Sequence, residues 1–250
     1  QEEARLRRES PLIANDSVDL VLSNCVLNLV SPEDRQQLFH ELYRVVKNGG
    51  RVAISDIVSD EDVPQDQQDD PELWSGCISG AFREDRFLQA FVDAGFYGVH
   101  LAKRDPKPWR VVDGIEYRAV TVVAYKGKEG PCKDAAQAVL YPGPWKEVHD
   151  DDGHVYKRGQ RIAVCAKTYD ILTRPPYADQ LIPLPPYQPV SNLDDAPELC
   201  SGFQIRHPRI TKNGAIPDHL PGGCLDDPDC CSDIASHPDQ GPCLPGSGCC

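Results

Sequence analysis

The 250-residue chain carries 39 acidic and 26 basic side chains, which gives a formal net charge of −13 at pH 7. This charge argues against binding to nucleic acid or to an anionic membrane surface. No apolar run approaches the roughly 20 residues that span a bilayer, and no cationic start precedes an apolar block as in a secretory signal.

The first predicted strand is Val18–Leu22, a short apolar run typical of a strand that is buried on both faces of a parallel sheet with helices above and below. It ends in Ser23-Asn24-Cys25. Ligands of open α/β sheets bind outside the carboxyl ends of the strands, so these three residues are predicted to face a site. The alternative is that Cys25 is a small hydrophobic core residue.

Ser31 is a good N-cap, and Pro32 suits the first position of the helix that follows. The spacing of apolar residues predicts that this helix runs to Asn48-Gly49-Gly50, which would end it. Residues 51–58 (RVAISDIV) form the second predicted strand. Strand, helix and strand with short loops are typical of a doubly wound α/β sheet.

An acidic loop, 59–72, leads to LWSGCISGAF at 73–82, which places Cys77 near a Trp and two Gly. A second helix is predicted at 83–94. The strands 99–103 and 116–125 follow with no helix between them, so we expect an antiparallel pair at the end of the sheet.

This order of elements resembles that of the second half of a class I S-adenosylmethionine-dependent methyltransferase, a Rossmann-like α/β sheet with a closing antiparallel hairpin. The first half would carry the glycine-rich cofactor loop, and no G-x-G motif precedes Asp19. The chain also starts at Gln1 and contains no Met. We therefore expect an N-terminally truncated fragment that is inactive by itself.

Three segments resemble the arsenite methyltransferases, namely 23–29 (SNCVLNL), 44–50 (RVVKNGG) and 73–81 (LWSGCISGA). The resemblance covers about residues 1–126, and its first and third motifs are the more specific. It implies transfer of a methyl group from S-adenosylmethionine to trivalent arsenic held by cysteine thiolates. It also implies arsenite supplied as a thiol conjugate, a thiol reductant and a cytoplasmic location.

The resemblance assigns Cys77 to the second of three arsenic-binding cysteines of the family. Cys25 is a second candidate for the catalytic site, and Ser23 and Asn24 are candidates for cofactor contact. Two departures are visible. The first family cysteine would lie upstream of this chain, and the third should fall near Ile115, where there is no Cys. Because only the thiolate binds, we expect partly exposed ligand cysteines in electropositive surroundings.

The chain is predicted to comprise three segments. These are half a methyltransferase domain at residues 1–126, a small β-rich and Pro-rich extension at 127–190, and a tail with little intrinsic order at 191–250. Strands are predicted at 137–148 and 160–172 on either side of an acidic turn. The Pro-rich segment 174–190 is too interrupted for a core strand and should lie extended on the domain.

The tail contains the pattern C-L-x-x-x-x-C-C twice, at 224–231 and 243–250. The spacing differs from that of zinc ribbons, and adjacent thiols suit a soft ion such as trivalent arsenic or monovalent copper. The predicted metal ligands are therefore Cys224, Cys230, Cys231, Cys243, Cys249 and Cys250. The alternative is a redox-active tail or one without a function.

The sequence therefore predicts a methyltransferase of the arsenite type. Two alternatives stay open at this point. The enzyme could methylate another small molecule, because the third arsenic cysteine is missing. The chain could instead be a soft-metal-binding thiol protein with a remnant methyltransferase half. All three hypotheses exclude a nucleic-acid or membrane partner.

Overall fold

The computed structural model describes residues 11–199 and 204–213, and the chain divides into two compact units between Glu129 and Gly130. The first unit contains one mixed sheet, with strands β1 (Val18–Asn24), β2 (Val46–Ser59), β3 (Phe82–Arg83), β4 (Tyr97–Arg104), β5 (Arg110–Val112) and β6 (Ile115–Tyr125). The main strands lie in the order β1-β2-β6-β4, and the short β3 and β5 pair with β2 and β6. In these residues, every helix is too short or too polar to cross a membrane.

Helix α1 (Pro32–Val45) begins where the sequence predicts. The Ser31 hydroxyl accepts a hydrogen bond from the backbone N–H of Asp34 at 3.3 Å, and Pro32 occupies the first turn, where a missing N–H costs nothing. The N-cap prediction is confirmed.

The predicted end of this helix at Asn48-Gly49-Gly50 is wrong, because the chain turns directly into β2 at Val46. The glycines serve the sheet instead. A Cβ on Gly50 would lie 2.9 Å from the carbonyl oxygen of Asp19 in β1, so only glycine lets the two strands approach this closely. The register between β1 and β2 shifts at this point.

Two short helices, α2 (Gln65–Gln68) and α3 (Pro71–Ser75), precede helix α4 (Glu84–Asp93) in the chain. Helices α1 and α4 pack side by side on one face of the sheet. The rings of Phe39 and Phe91 meet edge to face with centroids 4.9 Å apart. They cover buried strand residues that include Val52, Ile54 and Val122. The strand–helix–strand–helix order predicted from the sequence is confirmed.

Burial of β1 on both faces is not observed. Val21 packs against the core under the helices, whereas Leu20 and Leu22 on the opposite face are 40% and 70% exposed. Residues 63–81 cover that opposite face only near the end of β2, around Ile57. A run of apolar residues reports hydrophobicity but does not report which neighbours cover each face, so the sequence could not reveal this exposure.

The predicted antiparallel pair is confirmed as β4 and β6. Strand β6 lies between β2 and β4 and pairs antiparallel with both, so β4 is the outer strand. The hairpin from β5 to β6 turns at Asp113-Gly114, where both residues have positive φ, as a tight two-residue turn requires. This edge of the sheet is therefore formed by β4 and the short β5, which both pair with β6.

The second unit has a three-stranded antiparallel sheet of β7 (Ala138–Leu140), β10 (Arg161–Ala163) and β11 (Ile182–Leu184), and a hairpin of β8 (Glu147–His149) and β9 (Val155–Lys157). The prediction of one strand over 160–172 is wrong in its second half, which is helix α5 (Ala166–Leu172). Cys165 caps this helix, because its sulfur accepts a hydrogen bond from Thr168 N–H at 3.4 Å. Helix α6 (Pro208–Asn213) ends the described chain.

The acidic turn between β8 and β9 is held by one carboxylate. One oxygen of Asp150 accepts hydrogen bonds from the His154 ring at 2.7 Å and the Tyr156 hydroxyl at 2.7 Å, and the other accepts from two backbone N–H groups of the turn. These bonds hold the pKa of Asp150 below its usual value although burial acts in the opposite direction. The carboxylate therefore stabilises the hairpin in its ionised form.

Candidate functional site

Cys25 lies at the carboxyl end of β1. Its N–H donates to the carbonyl of Ser55 in β2 at 2.9 Å, and a short 3-10 helix, Leu27–Leu29, follows. The backbone of Cys25 has φ +53°, in the left-handed region, where a non-glycine residue costs on the order of 1–3 kcal/mol. The residue is exposed, so it is not part of the core.

Cys77 lies in the turn after α3, and the structure brings it to Cys25. Its thiol donates to the carbonyl oxygen of Cys25 at a sulfur–oxygen distance of 3.7 Å. Cys77 is half-buried and, like Cys25, has a left-handed backbone, with φ +59°. Two residues that are distant in sequence are thus held side by side in strained conformations, which is typical of functional sites.

The buried charge beneath this pair of thiols belongs to Asp56 of β2, which is 1% exposed. Its two carboxylate oxygens accept the N–H groups of Leu27 at 2.9 Å and Ile57 at 2.8 Å. Burial raises the pKa of Asp56, and the backbone N–H groups partly oppose that shift. The carboxylate thereby anchors the segment that follows Cys25.

The electrostatic surroundings of the thiols differ from the electropositive site that the sequence led us to expect. Partial loss of solvent contact raises the pKa of Cys25 and of Cys77, and the negative charge of Asp56 raises both further. The pair is therefore protonated at neutral pH in the free protein. A ligand must displace the thiol protons to bind here.

Ser23 and Asn24 are adjacent on β1, so their side chains point to opposite faces of the sheet. Ser23 is half-buried and pairs with Ile54, whereas Asn24 is exposed and pairs with Ser55. Both lie at the carboxyl edge beside Cys25. Their assignment to cofactor contact stays a prediction.

Ile115 occupies the region where the resemblance led us to look for a third cysteine. It is 8% exposed and belongs to a hydrophobic cluster with Leu73 and Ile78, against which Cys77 also packs. This position therefore lies near the pair of thiols, but its aliphatic side chain offers no ligand.

No group of three or more His, Cys, Asp or Glu side chains within 11–199 and 204–213 is arranged to hold a metal ion. The six tail cysteines predicted as metal ligands, Cys224 to Cys250, lie outside the residues that the structure describes. That assignment stays a prediction.

Two residues of the site were not singled out from the sequence. Asp56 is an acidic residue between the apolar residues of 52–54 and 57–58 in β2, and a carboxylate buried in such a strand is rare enough to be a usable signal. Asn28 belongs to the SNCVLNL motif, and its amide contacts the Cys77 turn. Only the folded chain reveals that contact, because the two residues are far apart in sequence.

Comparison with known families follows the division between the two units. A family model described as "Methyltransferase domain" matches residues 6–95, and one described as "Domain of unknown function (DUF8838)" matches residues 128–216. With its mixed sheet and closing antiparallel strands, the first unit has the α/β fold of class I methyltransferases.

Curated relatives narrow this class. The chain is 45% identical over 93 residues to an arsenite methyltransferase of Halobacterium salinarum, an alignment that covers 37% of this chain and 23% of the relative. It is 29% identical over 230 residues to the human arsenite methyltransferase. This alignment covers 85% of the present chain and 60% of the human protein. Over 85% of its length the chain is therefore similar to arsenite methyltransferases.

Among solved structures, CrArsM, an arsenic(III) S-adenosylmethionine methyltransferase from Chlamydomonas reinhardtii, aligns with a TM-score of 0.47 and 22% identity. The alignment covers 78% of this chain and 66% of that one. The chain spans 60% or less of the length of the curated arsenite methyltransferases of Halobacterium salinarum, human and mouse.

Proposed function

We propose that this chain contributes to S-adenosylmethionine-dependent methylation of trivalent arsenic, with Cys25 and Cys77 as the arsenic ligands. The observation that carries the proposal is the contact between the Cys77 thiol and the Cys25 carbonyl, which joins the two cysteine motifs at one edge of the sheet. Thiolate sulfur is the ligand that soft centres such as trivalent arsenic prefer.

The protonated state of the free thiols suits arsenous acid as the ligand. Each thiol hydrogen can leave with one arsenic-bound hydroxyl as water while one arsenic–sulfur bond forms. Two cysteines thus release two waters and leave one hydroxyl on arsenic. No general base is needed for this exchange, and an arsenic–thiol conjugate could exchange its thiols in the same way.

Ser23 and Asn24 are proposed to contact the cofactor. Their hydroxyl and amide groups at the end of β1 suit the polar groups of S-adenosylmethionine, and their position beside Cys25 would keep the cofactor close to bound arsenic. When bound, S-adenosylmethionine would supply a methyl group that leaves its sulfonium sulfur for the lone pair of trivalent arsenic. The contribution of the protein is then mainly positioning, which is worth roughly 7–11 kcal/mol in favourable cases.

The two alternative functions have less support. The arsenite methyltransferases among the relatives favour arsenic over another small-molecule substrate. They also favour an enzyme over a protein that only stores soft metals. A small-molecule arsenic substrate, a thiol reductant and a cytoplasmic location belong to the same proposal.

Arsenite binding to the reduced chain tests the proposal, with the six tail cysteines replaced by serine to remove competing thiols. Trp74 reports on the site by fluorescence, because its carbonyl accepts the N–H of Cys77. Cys25→Ser or Cys77→Ser should weaken binding about 10²–10⁴-fold, since one thiolate lacks the effective concentration of a second. Cys132→Ser in the second unit is the matched control. Unchanged binding in both site variants would refute the proposal.

A further inference from the structure

We propose that Asn28 is a positioning residue that holds Cys25 and Cys77 at the separation needed to chelate one arsenic atom. The inference rests on the proposed function and adds to it the residue that sets the geometry of the two ligands. Asn28 would not touch the arsenic or the cofactor, and it acts through the backbone of Cys77.

The Asn28 side chain joins three segments of the chain. It is 1% exposed, and its amide nitrogen donates to the carbonyl of Ile57 at 2.7 Å and to the carbonyl of Cys77 at 3.0 Å. Asn28 itself lies three residues after Cys25. One amide therefore connects the loop of the first cysteine, the end of β2 and the turn of the second cysteine.

The direction of these hydrogen bonds is settled by their partners. Both contacts are to carbonyl oxygens, which only accept, so the nitrogen of the amide must face them. The amide oxygen has no hydrogen-bond partner in the described part of the chain. Asn28 thus contributes its two donor hydrogens to this arrangement, and an ionised Asp could not replace them.

Neighbouring contacts hold the same two segments at their outer ends. The guanidinium of Arg35 donates to the carbonyls of Val30 at 3.2 Å and Gly80 at 2.8 Å. These bonds fix the segments that flank the cysteines. The Asn28 amide, in contrast, bonds to a cysteine itself.

A hydrogen bond to the Cys77 carbonyl fixes the orientation of that peptide, and with it the direction in which the side chain leaves the backbone. Cys77 has a left-handed backbone, which a cysteine does not adopt by preference. The N–H of the same peptide, which belongs to Ile78, donates to the carbonyl of Leu73 at 2.9 Å. Removing the Asn28 donor would leave the peptide held from that side alone and should widen the range of sulfur–sulfur separations. A chelate requires one narrow separation, whereas a single sulfur–arsenic bond does not.

The test uses phenylarsine oxide with the full chain carrying serine at the six tail cysteines, Cys224 to Cys250. This probe binds two thiols, forms two arsenic–sulfur bonds and releases its oxygen with both thiol hydrogens as one water. An excess of a competing monothiol suppresses attachment to single cysteines. Asn28→Ala should lower the affinity about 10–100-fold, as expected for a residue that orients ligands. The rate at which iodoacetamide alkylates Cys25 and Cys77 should change less than twofold between the parent protein and Asn28→Ala.

Ile54→Val is the matched control, because it perturbs the buried core without touching the loops. If it lowers the melting temperature as much as Asn28→Ala but keeps chelation, the inference is supported. If Asn28→Ala does not fold, Asn28→Ser takes its place, because the shorter serine side chain cannot span both carbonyls. The same loss of affinity, about 10–100-fold, is expected for it. Failure of the parent protein to chelate would overturn the proposed function as well. A parent protein that chelates and an Asn28 variant within threefold of it would overturn this inference alone.

Discussion

The clearest perturbation of the pair of thiols is Gly80→Ala. Gly80 packs on the 3-10 helix that follows Cys25, and a Cβ at this position would lie 1.9 Å from the carbonyl oxygen of Asn28. Real Cβ atoms stay at least 3.0 Å from such atoms, so the two segments would have to separate by about 1 Å. The obstacle is backbone, which cannot swing aside as a flexible side chain can.

A separation of this size should break the hydrogen bond between the Asn28 amide and the Cys77 carbonyl, which is 3.0 Å long. A 1 Å misplacement of groups that must act together can cost on the order of 100-fold, and we expect an arsenite affinity lowered by about that factor. Fluorescence titration of the reduced protein, with serine at the tail cysteines, measures this change.

Gly76→Ala is the control within the same turn. Its Cβ would meet the nearest atoms at 3.5 and 3.6 Å, which is ordinary contact, and Gly76 has φ −84°. It should leave arsenite binding unchanged and raise stability by about 0.4–1 kcal/mol, because alanine restricts the unfolded chain. Wild-type affinity in Gly80→Ala would refute the reasoning that the Gly80 contact sets the position of Cys77.

Three further outcomes are expected. Asp56→Asn removes the charge that raises the pKa of Cys77, so the pH profile of its alkylation should move to lower pH; a profile that stays in place would show that burial alone sets the shift. The pKa of Asp150 is lower in the folded protein than in the unfolded chain. Its stabilisation of the hairpin is therefore fully present above the ordinary carboxyl pKa of about 3.9, and it is lost as the pH falls through the pKa of the folded state. Thermal melts of Asp150→Asn should therefore differ from wild type at pH 7 and converge near pH 2. Serine at the six cysteines of 224–250 should remove additional equivalents of bound arsenite without changing the affinity of the site at Cys77.

The protonation of the thiols has a consequence for the order of events at the site. A carboxylate buried near two cysteines disfavours a free dithiolate, which would be the form most open to oxidation. Arsenous acid exchanges water for sulfur and needs no prior ionisation. The same arrangement can therefore protect the thiols until the proposed substrate is present.

Local sequence was sufficient wherever an element depends on its own residues. The Ser31-Pro32 start of α1 follows from capping chemistry, and the β4–β6 pair follows from two strand patterns without a helix between them. The motif around Cys25 and the motif around Cys77 are likewise visible in the sequence. The helix of 166–172 was missed because its cap is a cysteine, which is not among the usual capping residues.

The sequence by itself determined the α/β class of the first unit, the order of its elements and the family resemblance, because these depend on periodicity, caps and short motifs. Only the tertiary structure decided that Cys77 meets Cys25, that Asn28 joins their loops and that Asp56 lies buried beneath them. Each of these relations links residues that are far apart in sequence. Their distances and electrostatic effects exist only after the sheet and its loops have packed.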